Sequence, residues 1–214
     1  MDKKYIETLG LSLPKLGYGC MRLPVKDGKI EFEEAKKLIH HAYNNGLNYF
    51  DTAYNYHGGE SEIFLGKVLQ EFKRDSYFLT SKLPVWKVKE EGDAEKLFNE
   101  QLNKCNTEYF DFYLLHSLSK KSIETVEKFN LYDFILKKKQ EGKIKNIGFS
   151  FHDNNEVLKS FAAAHKWDFA QLQINYWDWE ENDAKSLYET LEKLDIPCFV
   201  MEPVRGGFLA SFAP

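Results

Sequence analysis

The sequence predicts a parallel α/β fold: a (β/α)8 TIM-type barrel, incomplete at about seven strands, behind a short N-terminal hairpin. Three observations carry this. Short runs rich in β-branched and aromatic residues recur about every 30 residues, and amphipathic stretches at helical spacing fill the intervals. Polar residues collect at the C-terminal ends of the apolar runs, which in a barrel converge on one face. An open dinucleotide-binding sheet would instead begin with GxGxxG after its first strand. "GYGCMR" has Gly17 and Gly19, but Arg22 stands where the third glycine belongs.

In chain order, "YIETLGLSL" reads as a hairpin turning at Leu9 and Gly10. "KLGYGC" (15–20) is the first strand of the repeat, and "FEEAKKLIHHAYNNG" is a helix from Phe32 to the stop signal Gly46. "LNYFD" (47–51) is the second strand. "ESEIFLGKVLQEF" follows as a helix with Ile63, Phe64, Val68 and Leu69 on one side. The strands "SYFLTSK" (76–82), "YFDFYLLH" (109–116), "IKNIGFS" (144–150), "FAQLQIN" (169–175) and "PCFVMEP" (197–203) come next. The helical stretches "EKLFNEQLNKC", "LYDFILKKKQEG", "NEVLKSFAAAH" and "DAKSLYETLEKL" alternate with them. These strands are apolar on both faces, as a parallel sheet covered by helices requires.

The 214 residues are 43% hydrophobic and 15% aromatic, enough for one large core, and no linker or low-complexity tract divides residues 1–214 into more than one domain. Net charge is −4. The densest basic run, Lys137, Lys138 and Lys139, reads as the solvated end of a helix, so neither nucleic acid nor a membrane surface is an expected partner. The chain opens without an apolar leader and has no membrane-length apolar window, which suggests a cytoplasmic protein. Cys20, Cys105 and Cys198 are far apart and read as reduced, non-ligand thiols, with no metal site expected.

Four strand-end residues carry chemistry: Asp51 and Tyr56 after the second strand, Lys82 after the third and His116 after the fourth. Singly, they read as an N-cap, a packing aromatic, a snorkelling lysine and a core histidine. Together they form a proton-transfer set. A buried ammonium stabilises a phenolate and lowers the phenol pKa, and a carboxylate keeps that ammonium charged and aimed. An imidazole at the next strand end orients a substrate oxygen. Such a set suits protonation of an oxyanion formed by hydride transfer to a carbonyl.

On these residues the chain resembles the aldo-keto reductases. "FDTAYNY" matches the D-T-A-x-x-Y signature of that family, and Lys82 in "TSKLP" and His116 in "FYLLHS" fall at its lysine and histidine. The likeness runs from "LGYGCMRLP" to "VMEPVRGG". It implies NADPH-dependent (or NADH-dependent) reduction of an aldehyde or ketone, with Asp51, Tyr56, Lys82 and His116 as catalytic residues. It further implies that Ser150 and Gln171 hold the nicotinamide carboxamide and that the 203–209 loop, with Pro203, Arg205, Gly206 and Gly207, wraps the pyrophosphate. Met21 and Met201 complete the expected cofactor site, and Tyr54, His57 and Trp86 are assigned to a substrate pocket, Tyr54 and His57 alternatively to packing.

Some features depart from the family pattern. Phe151 replaces an asparagine in G-V-S-N, and Met201 stands where an aromatic usually stacks on the nicotinamide. The phrasing "GFSFHD", "YNYHGGES" and "MEPVRGG" is most similar to a bacterial subgroup whose longer members carry a ferredoxin-like iron–sulfur extension; the cysteines for a cluster are not in this sequence. Seven strands are counted where the family has eight. The expectation is therefore a C-terminally truncated member with weakened NADPH affinity. Its unpaired edges should meet a second copy in a homodimer or be filled by the C-terminal tail. Two other readings stand beside the reductase. One is a non-catalytic remnant or interaction module that pairs through the open sheet edge. The other is a Schiff-base enzyme using Lys82.

Overall fold

A computed structural model describes residues 1–211, so the tail residues Phe212, Ala213 and Pro214 and any filling of the cleft by them lie outside the described residues. Strands β1 (Lys3–Ile6) and β2 (Leu11–Pro14) form the antiparallel N-terminal hairpin. Gly10 at φ 62° makes its turn. The main sheet begins with β3 (Tyr18–Gly19). A second small hairpin, β4 (Val25–Lys26) and β5 (Lys29–Ile30), intervenes before helix α1 (Phe32–Asn44).

Strand and helix then alternate: β6 (Tyr49–Asp51), α2 (Glu60–Val68), β7 (Phe78–Leu83), α3 (Asp93–Lys104) and β8 (Phe110–Leu118). Two helices, α4 (Lys120–Lys128) and α5 (Leu131–Gln140), lead to β9 (Ile144–Phe151) and α6 (Asn155–Ala164). The described chain closes with β10 (Phe169–Gln173), α7 (Tyr176–Glu181), α8 (Ala184–Lys193) and β11 (Cys198–Met201).

The order of the main sheet is β11-β10-β9-β8-β7-β6-β3, all parallel, curled into a half-barrel. The edge strands β3 and β11 do not pair with each other, so the barrel is open. The sequence reading locates all seven strands to within a few residues.

Three elements escape the sequence reading. Helix α4 has few apolar residues; its start is marked by a polar cap in which Ser119 N–H donates to Ser122 Oγ at 2.7 Å. Helix α7 is only six residues long and starts where Asn175 Oδ1 accepts the N–H of Asp178 at 2.8 Å. The β4–β5 hairpin has two residues a side, too short for a period-two pattern to register.

Side-chain alternation divides the core in two. Phe50, Tyr113, Leu115, Phe149 and Leu172 pack outward beneath the helices. Leu13, Tyr49, Phe112, Leu114 and Phe169 pack inward, with Phe199 against them, so that the N-terminal hairpin plugs the barrel floor. Gly148 permits this inner packing: a Cβ there would meet the Phe169 carbonyl oxygen at 2.7 Å. With the floor filled by rings, the polar inward positions are left at the opposite end of the strands.

Candidate active site

Asp51 is the last residue of β6, and Tyr56 opens the short 3-10 turn Tyr56–Gly59 that follows it. His57, Gly58 and Gly59 in that turn all have positive φ (51°, 64° and 99°), which reverses the chain sharply. Just before this reversal the Tyr56 phenol lies at the end of β7, beside Lys82, whose side chain is 1% exposed. Lys82 Nζ donates to Asp51 Oδ1 at 2.5 Å, to the Thr52 carbonyl at 2.9 Å and to the Tyr56 hydroxyl at 3.3 Å. Three acceptors meet the three ammonium protons. Burial depresses the Lys82 pKa, but Asp51 and Tyr56 outweigh it and the ammonium ends above its ordinary value.

The phenol corrects one sequence-based expectation. Burial raises the Tyr56 pKa, Lys82 opposes this without reversing it, and Asp51 adds to the rise, so the phenol stands above its ordinary value. The lysine holds down an increase that burial sets. His116 is 9% exposed, and burial, then Lys82, bring its pKa down to about 2, so its ring is neutral across the physiological range. The ring centroid lies 6.1 Å from that of Tyr56 and 5.1 Å from that of Trp86.

Behind Lys82 is a buried polar network between α2, α3 and the sheet. Gln101 Nε2 donates to the Lys82 carbonyl (3.0 Å) and to Glu62 Oε1 (2.5 Å), Ser81 Oγ donates to Glu62 Oε1 (2.6 Å), and Tyr113 donates to Gln101 Oε1 (2.5 Å). Sequence reasoning missed Glu62 and Gln101 because it read their helices for apolar residues; for Glu62 a charged residue one position from an apolar run was the available signal, and the neutral Gln101 offered none.

A cavity of about 1110 Å³ opens over the strand ends. Asp51, Tyr56, Lys82 and His116 line it together with Ser150 and Gln171. Gln171 points inward and donates from Nε2 to Asp51 Oδ2 at 3.2 Å, while its Oε1 is buried without a hydrogen-bond partner. Met21, Met201, Pro203, Arg205, Gly206 and Gly207 line the far part of the same cavity. Glu202 (φ 56°), Arg205 (48°), Gly206 (67°) and Gly207 (97°) wind this loop through left-handed conformations. Arg22, not singled out for this role from the sequence, donates to Glu202 Oε1 at 2.6 Å across the gap between the sheet edges. A Cβ on Gly206 would come within 2.9 Å of the Arg22 guanidinium. Asn175 Nδ2 holds the Glu202 carbonyl at 3.1 Å, and Arg205 Nη2 lies 3.8 Å from Asp178.

Two residues expected in a substrate pocket are elsewhere. Tyr54 turns to α3, where its hydroxyl donates to Glu100 at 3.1 Å and Lys104 Nζ sits 4.0 Å from its ring centroid. His57 Nε2 accepts the Leu23 N–H at 3.0 Å and secures the reversed turn. Trp86 packs beside His116 but is not among the residues that line the cavity. Phe151, in place of the asparagine, packs in the outer core, 6.4 Å between ring centroids from Phe149.

The fold is that of solved enzymes. An aldo-keto reductase of Bacillus halodurans in its holo form superposes with a TM-score of 0.77 at 24% identity, covering 100% of this chain and 70% of that one. Another from Klebsiella pneumoniae, in complex with NADPH, gives 0.71 at 22% identity, covering 99% and 72%. Among curated proteins, the chain is 28% identical to the oxidoreductase YqkF of Bacillus subtilis over 221 residues, 99% of this chain and 67% of that protein. It is 26% identical to "Probable aldo-keto reductase 1" of Glycine max over 95% of its length, and spans 60% of that relative. Residues 15–213 match the model of the aldo/keto reductase family, and the chain belongs to that family.

Proposed function

We propose that this cavity reduces the carbonyl of a small aldehyde or ketone to an alcohol with NADPH or NADH, Tyr56 serving as proton donor. The observation that carries the reading is the Asp51–Lys82–Tyr56 chain, buried on one side and facing a large cavity on the other. The cavity also suits a nicotinamide carboxamide. The unpartnered Gln171 Oε1 is an acceptor, and the Ser150 hydroxyl can donate. Pro203, Arg205, Gly206 and Gly207 are the candidates for the phosphates. Met21 and Met201 would contact the rest of the nucleotide, and the Klebsiella pneumoniae structure is a complex with NADPH.

A bound nicotinamide would supply the hydride. The residues of the chain do the rest. Neutral His116 donates one hydrogen bond to the carbonyl oxygen and fixes its position. Tyr56 gives its proton to that oxygen as charge develops on it. Lys82 stabilises the phenolate left behind, and Asp51 keeps the ammonium in place. A Schiff base on Lys82 is disfavoured, because its pKa is raised and all three protons are engaged. Carbonyl-dependent loss of nicotinamide absorbance, together with titration of NADPH and NADH, tests the reading. Absence of nucleotide binding would sink it.

One observation favours a second reading, that of an interaction module. The unpaired strands β3 and β11 lie beside exposed apolar residues, with Leu16 53% and Val200 50% exposed. A second copy pairing at these edges would make a homodimer. Light scattering at high concentration tests this, and a monodisperse monomer would exclude it.

A further inference from the structure

We infer that Ser150 is a positioning residue for His116, acting through the left-handed residue Ser117; this rests on the proposed role of His116 at the carbonyl. Leu115 pairs with Phe149 and Leu118 with Phe151, so that His116 and Ser117 together oppose the single residue Ser150. That is a β-bulge, which leaves the extra residue without its ladder partner and re-aims a side chain. Ser117 adopts φ 57°, a conformation that costs any residue but glycine. Its N–H is taken by Ser150 Oγ at 2.8 Å. The hydroxyl therefore supplies the acceptor that the bulge removed.

The aim of His116 depends on this backbone. Its Nδ1 is buried with no hydrogen-bond partner, and Tyr56 and Trp86 contact the ring only as neighbouring aromatics. Without a hydrogen bond at Nδ1, the ring points where the bulge directs it. Ser150 also lines the cavity, and one hydroxyl can accept from Ser117 while donating into the cavity. Occupancy of the cavity at Ser150 would thus strengthen the bond that aims His116.

The test begins with the nucleotide-free protein, so that it stands apart from turnover. Imidazole nitrogen and carbon resonances of His116 are compared in the native chain, Ser150→Ala, Ser117→Val and the double variant Ser150→Ala with Ser117→Gly. Ser150→Ala is expected to shift or broaden them. Ser117→Val keeps the Ser150 hydroxyl but brings a β-branched side chain that resists positive φ, and should move the same resonances. Glycine adopts that φ freely, so the double variant should return them towards native values. In turnover, Ser150→Ala should lower kcat on the order of ten- to a hundredfold, with partial recovery on adding Ser117→Gly. His116 resonances unchanged in both Ser150→Ala and Ser117→Val would overturn the inference. So would turnover lost in Ser150→Ala and not recovered at all by Ser117→Gly, since that pattern means a cavity contact alone. Loss of the proposed reductase function would show differently: no turnover in any variant, native included, with the resonance pattern intact.

Discussion

The two sides of the cavity are built from different materials. On the side of β6, β7 and β8, Lys82 joins Asp51 by a short hydrogen bond and Tyr56 by a longer one, and a second polar layer of Glu62, Ser81, Gln101 and Tyr113 lies behind them. On the side of β3 and β11 the sheet is open. There Arg22 and Glu202, with the arginine side chain 54% exposed, bridge two edges that share no ladder. Buried partners are costly to lose, because each is left unsatisfied in a low dielectric; exposed partners are replaced by water. The proton-transfer side should therefore be rigid before any ligand arrives, and the loop side should yield to one.

The sharpest way to break this comparison is at the phenol. Tyr56→Phe keeps the ring and removes the proton, and kcat should fall ~10²–10⁴-fold with little change in melting temperature. Near-native turnover would remove Tyr56 from the mechanism. Lys82→Met should damage both activity and stability, since Asp51 is then left without its counter-ion; losing one partner of a buried pair costs roughly 3–5 kcal/mol. The alkaline limb of the rate profile, where Tyr56 loses its proton, should also move to higher pH. An unchanged limb would mean that the lysine does not tune the phenol.

The acid side sharpens the same contrast. The folded-state pKa of His116 is depressed to about 2, so between the ordinary histidine value of about 6.5 and that value the unfolded chain binds a proton that the folded chain refuses. Stability is fully present above pH ~6.5 and is lost as pH falls through this window. His116→Gln should flatten that decline in a melting-temperature series against pH; an equally steep decline would assign it to other groups. The smallest effect belongs to the rim. Glu202→Gln should change stability by no more than ~1 kcal/mol by denaturant titration, as exposed ion pairs do. A larger loss would show that Arg22 and Glu202 hold the open barrel together.

Much of this was legible in the sequence. Strand positions followed from apolar runs, and Asp51, Tyr56, Lys82 and His116 from their location at the ends of successive strands. Tyr54 and His57 were not separable from Tyr56 on that basis, because what takes each away from the cavity is a partner distant in sequence, Glu100 for Tyr54 and the Leu23 N–H for His57. Arg22 looked like a failed glycine motif, and its partner Glu202 is 180 residues away.

By itself the sequence determined the alternation of strands and helices, the parallel sheet and the four residues at its mouth, because hydrophobic periodicity and chain order are local properties. The tertiary structure alone decided the balance at each site. Burial outweighs Lys82 at the Tyr56 phenol, a bulge opposite Ser150 directs His116, and an ion pair spans edges that hydrogen bonds do not join. Each of these depends on distance and desolvation between residues far apart in the chain, and no local pattern encodes them.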